Sequence, residues 1–206
     1  MSAPLRVAVL LSGNGSSLEN LLEHIDSGDV HAEVVVVVSS KQNAFGLTRA
    51  RRRGLPAVVV PRKQHPNSKD FNDRLHAALA PYDVELVALL GFLSLFELRG
   101  KYDGRVINVH PALIPAFCGQ GFYGRRVHEA VLAAGVKLTG ATVHITDDQY
   151  DKGPIVLQET VPVLEDDVVE TLAERVQEVE RRLVPRAVQL FADGRVRIEG
   201  HRTRIL

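Results

Sequence analysis

Seven short runs rich in apolar residues alternate with stretches whose apolar residues recur at helical spacing, and this alternation limits the fold more than any other feature. The runs are Leu5–Leu11, Ala32–Val38, Ala57–Val60, Val84–Leu90, Val106–His110, Leu138–Ile145 and Ile155–Val161. The first is nearly all apolar, as expected of a parallel strand covered by helices on both faces. Leu18, Leu21, Leu22 and Ile25 then form one helix face. Phe45–Arg53 reads as a helix closed by Gly54, and Val127–Ala134 as one closed by Gly135. Ser68 is placed to cap a helix that turns Phe71, Leu75, Ala78 and Leu79 inward until Pro81. Val168, Leu172, Val176, Val179 and Leu183 mark a long amphipathic helix that Pro185 should kink or restart. Asp193-Gly194 turns into a small strand Arg195–Ile198, and His201–Arg204 reads as a frayed end. The alternation predicts an α/β fold: a single-domain, Rossmann-like, mostly parallel twisted sheet of about seven strands with helices on both faces.

The 206 residues suffice for one sizeable core, and no linker or repeat divides them. Lys plus Arg and Asp plus Glu both number 25, so no overall basic field draws the chain to nucleic acid or an anionic membrane. Cys118 is the single cysteine, which excludes an internal disulfide framework and a thiolate metal cluster and suits a reducing cytoplasm. The start Met-Ser-Ala-Pro-Leu-Arg has no signal-peptide pattern, and no apolar run approaches about 18 residues. The expectation is a soluble cytoplasmic protein whose function resides in a local site.

Three segments offer such a site. Ser12-Gly13-Asn14-Gly15-Ser16-Ser17 joins the first strand to the first helix. Glycines admit a ligand close to the backbone, and a helix start offers free amides. The loop lacks the third glycine of the dinucleotide fingerprint and the Gly-Lys-Ser/Thr of a P-loop, and Ser39-Ser40-Lys41 supplies no ribose-binding carboxylate. Gly13, Asn14, Gly15, Ser16 and Ser17 therefore suit a phosphate monoester, or form only a tight turn that binds nothing. Gly91-Phe92-Leu93-Ser94-Leu95-Phe96 follows a strand end, where open α/β sheets put ligands, and reads either as core or as a wall for a flat ligand.

Val106-Ile107-Asn108-Val109-His110-Pro111 is the third. Alternation puts Asn108 and His110 on one face, roughly 7 Å apart, and Pro111 ends the strand. An amide beside an imidazole suits a reaction that builds negative charge on a carbonyl oxygen; a satisfied core histidine is the bland alternative. Thr142 and His144 share a face of the next strand, and His144 reads as a structural or supporting residue. Thr146–Pro154 brings Asp147, Asp148 and Asp151 in a spacing unlike a calcium loop, so one carboxylate orienting an imidazole is the better use. Pro111–Gly124 reads as a shaped flap, and Arg51-Arg52-Arg53 as a solvated helix end.

Taken together, Ser12–Ser16, Ala44–Leu47, Gly91-Phe92, Asn108–Pro111, Gly140–His144 and Asp151–Pro154 resemble the folate-dependent glycinamide ribonucleotide transformylases, from Val7 to about Ile198. The resemblance implies a single formyltransferase domain over 1–206, with a phosphate-binding half of about 1–100 and a catalytic, folate-binding half of about 101–206. It makes Asn108, His110 and Asp151 the catalytic trio, with Asn108 and protonated His110 holding the oxyanion. Gly13 to Ser17 become phosphate contacts, Glu180 a contact of the glycinamide end, and Phe92, Leu93, Ser94, Leu95, Phe96, Asp147 and Asp148 the folate walls. It further implies 10-formyltetrahydrofolate as cosubstrate, no metal, small-molecule substrates without nucleic acid or membrane, and a monomer or weak homodimer. Ser94 and Ser68 stand where relatives commonly carry arginine, and the flap over Gly119–Gly124 is longer, so the departures touch donor contacts and leave the trio intact. Water as formyl acceptor, or a non-catalytic sugar-phosphate binder, are the competing readings.

Overall fold

The structure, a computed structural model, describes residues 3–147 and 149–206. In chain order the elements are β1 (Leu5–Leu11), α1 (Ser16–Asp26), β2 (Ala32–Ser39), α2 (Phe45–Arg52), β3 (Ala57–Val59), α3 (Ser68–Leu79), β4 (Leu86–Leu89), β5 (Val106–His110), α4 (Arg125–Ala134), β6 (Leu138–Ile145), β7 (Ile155–Pro162), α5 (Val169–Ala192), β8 (Val196–Glu199) and β9 (Arg202–Ile205). The strands form one sheet in the order β3-β2-β1-β4-β5-β6-β7-β9-β8. It is parallel from β3 to β5, and β6 runs antiparallel to both its neighbours.

Alternation along the strands sorts side chains between two apolar layers. Val7, Val9 and Leu11 of β1 join residues of α1, α2, α4 and α5 on one face. Ala8 and Leu10 join Phe71, Leu75 and Leu79 of α3 on the other. This is the predicted single-domain α/β sandwich with helices on both faces. The chain moves outward from β1 to β2 and β3, then returns to the opposite side of β1 with β4. The strand order therefore reverses at β1 and β4, and loops leaving their C-terminal ends part to form a crevice.

The structure differs from the expectation in three places. The sheet has nine strands rather than about seven, because the small strand expected at Arg195–Ile198 joins it as β8 and the tail expected to fray is ordered as β9. Arg202–Ile205 pairs antiparallel with β8, Arg202 lies beside Ile155 of β7, and the Thr203 hydroxyl donates to the Ile155 carbonyl at 2.6 Å. Four residues carry too little periodicity to reveal such pairing. Asn67, not Ser68, caps α3: its Oδ1 accepts from the Asp70 amide at 3.2 Å, and Ser68 is the first helical residue. α5 runs unbroken through Pro185. Leu183, Val184, Pro185, Ala187 and Val188 are all buried in that turn, and packing them offsets the roughly 3 kcal/mol that an interior proline costs a helix. No helix among the described residues is long and apolar enough to cross a membrane.

Candidate active site

The crevice is a cleft of about 580 Å³. It collects Gly13, Asn14, Gly15, Ser16 and Ser17 from the loop after β1, Phe92–Phe96 from the segment after β4, and Asn108 and His110 from β5. Asp147 and Asp151 reach it from the β6–β7 loop, Glu180 from α5, and Gly119–Gly124 from the flap. Every catalytic, phosphate and folate residue that the resemblance implies therefore borders one space, except Asp148, which lies outside the described residues.

β5 and β6 are the backbone of the polar cluster. Their antiparallel register sets Asn108 opposite His144 and His110 opposite Thr142. The Asn108 Nδ2 is 3.1 Å from His144 Nε2 and 3.4 Å from Asp151 Oδ1. His144 Nδ1 lies 3.1 Å from the Ile145 carbonyl, which can only accept. The Nε2 edge of the ring faces both the Asn108 amide and, at 3.4 Å, Asp151 Oδ1. The Phe117 carbonyl likewise can only accept, so His110 Nε2 donates to it at 2.8 Å. His110 Nδ1 is then an unprotonated acceptor, 3.7 Å from Asp151 Oδ2.

Asp151 reaches the pair because its loop turns back tightly. Its own φ is 56°, in the left-handed region. Two residues on, a Cβ at Gly153 would lie 1.9 Å from the Ile145 carbonyl oxygen, so only glycine lets the loop pass the end of β6. The flap secures the carboxylate from the other side, the Gly119 amide donating to Oδ2 at 2.8 Å.

Electrostatics assigns resting charges. Burial pulls the His110 pKa below its ordinary value, against the opposing charge of Asp151 and the bond to Phe117. For Asp151, burial acts to raise the pKa, but the His144 hydrogen bond, the nearby His110 and the Gly119 amide together hold it below the usual carboxylate range. The resting site at neutral pH is a neutral imidazole facing a carboxylate. The protonated His110 that the resemblance implies is therefore not the resting form.

Gly15 is the N-cap of α1, its φ of 76° suits glycine, and no side chain caps the helix. Its first-turn amides remain available beside Ser16 and Ser17. Ser12 ties this loop to its neighbour: its hydroxyl lies 2.6 Å from the Ser40 hydroxyl and accepts from the Leu93 amide at 3.0 Å. In the Gly91 segment Phe92 and Phe96 turn into the core, stacked on Phe71 and His76 at 6.3 and 5.1 Å between ring centres. Leu93, 46% exposed, is left facing outward. Phe92 and Phe96 are thus core residues that also border the cleft, and Leu93 borders it from a more exposed position.

Glu180 has no hydrogen-bond or ion-pair partner among the described residues, and desolvation pushes its pKa up to about 7, from 4.5. Between those values folding takes up a proton, so stability falls as pH rises and the full cost is present above about 7. Because part of the side chain still meets the cleft, the cost is of order 1–3 kcal/mol. Glu180→Gln is expected to melt several degrees above the parent at pH 8 and level with it at pH 4. Thermal denaturation at the two pH values checks this, and equal melting at pH 8 would contradict the burial of a charge.

His144 supports the cluster from the neighbouring strand. It is 1% exposed, and its Nε2 touches both Asn108 and, at 3.4 Å, Asp151 Oδ1. Its period-two spacing from Thr142 puts it on one strand face, and the antiparallel register with β5 sets it opposite Asn108. Among the described residues no group of three or more His, Cys, Asp or Glu is arranged to hold a metal ion.

A doubly wound sheet with an amide, imidazoles and a carboxylate at its switch point is a setting suited to acid–base chemistry on a carbonyl group. The chain belongs to the formyl transferase family, whose model matches residues 5–188. More particularly, it is similar to the phosphoribosylglycinamide formyltransferase of Haemophilus influenzae, 32% identical over 198 residues that cover 95% of this chain and 91% of that protein. The crystal structure of glycinamide ribonucleotide transformylase 1 from Symbiobacterium toebii superposes with a TM-score of 0.93 at 39% identity, covering 100% of this chain and 96% of that one. The trifunctional purine biosynthetic protein adenosine-3 of Gallus gallus is 41% identical over 196 residues, 94% of this chain. The chain spans only 19% of that protein's length.

Proposed function

We propose that the chain transfers the formyl group of 10-formyltetrahydrofolate to the amine of glycinamide ribonucleotide, a step of de novo purine synthesis. The meeting of Asn108, His110 and Asp151 in one cleft carries this reading, Asp151 lying within 3.4 Å of the amide and 3.7 Å of the imidazole. Family membership and relatives of matching length support it.

The amine attacks the formyl carbon, and the carbonyl oxygen becomes an oxyanion. The Asn108 N–H that makes only a 3.4 Å contact with Asp151 is the donor best placed to turn to that oxygen. The attacking nitrogen then carries a surplus proton, which the His110 Nδ1 lone pair accepts. Asp151 stabilises the imidazolium so formed. As the bond from carbon to N10 breaks, the proton passes to N10, leaving tetrahydrofolate and the formylated amine. Negative charge is met throughout by hydrogen-bond donors and the transient imidazolium, and we propose a mechanism without metal.

In this proposal Gly13, Asn14, Gly15, Ser16 and Ser17 hold the ribonucleotide phosphate and Glu180 its glycinamide end. Phe92, Leu93, Ser94, Leu95, Phe96 and Asp147 form the folate walls. The first hundred residues mainly hold phosphate, and the rest supply catalysis and donor contacts. The protein works in the cytoplasm as a monomer or weak homodimer on small molecules, without nucleic acid or membrane; its balanced charge and single cysteine support this.

Purified protein is given 10-formyltetrahydrofolate with and without glycinamide ribonucleotide, and release of tetrahydrofolate is followed. Release that requires the amine is the expected result. Release without it would make water the acceptor, and no release in either case would leave only a binding protein.

A further inference from the structure

The loop that ends β1 is braced from outside the cleft by α2. The Gly46 amide donates to the Gly13 carbonyl at 3.1 Å, and a Cβ on Gly15 would lie 2.6 Å from the Gly46 Cα, so the two backbones touch. One turn further along α2, Arg49 donates through Nε to the Asn14 backbone carbonyl at 3.1 Å and through Nη2 to Asn14 Oδ1 at 3.2 Å. Its Nη1 is 3.4 Å from Glu19 Oε2, and its guanidinium lies 5.1 Å from the Phe45 ring centre.

A guanidinium has donors only, so the amide end facing it must be the oxygen. That leaves the two Nδ2 hydrogens of Asn14, an exposed residue of the cleft lining, for whatever the cleft holds. The inverted amide would present lone pairs to an anion and repel it. Glu19 adds a second constraint, because it places a negative charge in the first turn of the helix whose amides face the same space. Arg49 and Arg53, the latter at 3.1 Å, offset that charge.

We propose that Arg49 is a positioning residue for phosphate recognition: its two-point grip on Asn14 fixes the loop and turns the amide donors toward a phosphate monoester. This rests on the phosphate role proposed above for the loop. The grip is made by groups of the chain itself, so the loop's hydrogen bonds to Arg49 do not depend on the anion.

The test compares glycinamide ribonucleotide with its dephosphorylated riboside at saturating 10-formyltetrahydrofolate, the ratio of kcat/KM values giving the phosphate preference. Arg49→Ala is expected to lower that preference tenfold or more through the ribonucleotide KM, with kcat and the donor KM within about twofold. Asn14→Asp keeps an oxygen for Arg49 but removes the amide donors, and should lower the preference at least as far. Arg52→Ala is the control. That guanidinium lies 5.9 Å from the same Phe45 ring centre but makes no bond to the loop, so the preference should not change. Should Arg49→Ala fold poorly, Arg49→Lys serves instead: it keeps the charge near Glu19 but loses the planar fork, and should lose several-fold in preference. A parent protein without phosphate preference would overturn the phosphate role itself. A strong parent preference that survives Arg49→Ala or Arg49→Lys would overturn the positioning role alone.

Discussion

Replacing His110 with alanine is expected to lower kcat by about a thousandfold or more while ribonucleotide affinity stays within about twofold. The ring is 3% exposed, and its Nδ1 is the unprotonated nitrogen beside Asp151. It is therefore placed to relay the one proton that must travel from amine to N10. The loss should fall on the chemical step, since the loop and Glu180 that are proposed to hold the ribonucleotide do not contact His110. His110→Gln is the companion variant, because an amide can still satisfy the Phe117 carbonyl but cannot carry a proton near neutrality. Turnover at saturating substrates and calorimetric ribonucleotide affinity make the measurement. A His110 variant that kept a tenth of parental turnover would remove the imidazole from the mechanism.

Asp151→Asn is expected to cost about a hundredfold in kcat or more and to move the pH profile as well. The neutral imidazole is the working base, so kcat should decline as pH falls through the His110 pKa. Burial already holds that pKa below its ordinary value, and Asp151 is the strongest influence raising it. Removing the carboxylate charge takes the pKa lower still, and the acid limb of the profile moves to lower pH. A side chain that merely propped up the loop would reduce kcat at every pH and leave the limb in place. The amide oxygen of asparagine can still accept from Gly119, so the flap contact is kept. An unmoved limb at unchanged fold would show that Asp151 does not tune the imidazole.

The features legible from the sequence are those that local covalent geometry sets. Apolar runs between helical periodicities announced the α/β sandwich, because a strand buried on both faces cannot carry polar alternation. Asn108 and His110 were placed on one face by the two-residue repeat of a strand. Gly15 marked the strand-to-helix turn because its left-handed φ of 76° suits a residue without a Cβ. Several departures lie where local pattern is too short or tertiary packing overrides it. β9 is a four-residue strand with a pairing partner far along the chain, and α5 passes Pro185 because its neighbours are buried.

The assembly of the site was decided by tertiary structure. Local pattern shows Asp151 only as one of three carboxylates in a polar loop, and family resemblance alone picks it out; the passage of Gly153 against Ile145 and the Gly119 amide hold it to the cluster. His144 became a partner of Asn108 only through the register of an antiparallel neighbour. The resting neutrality of His110, and the grip of Arg49 on the Asn14 amide, depend on burial and on contacts between distant segments. Residue type and local period travel with the sequence, whereas register, desolvation and the closing of distant loops exist only once the chain has folded.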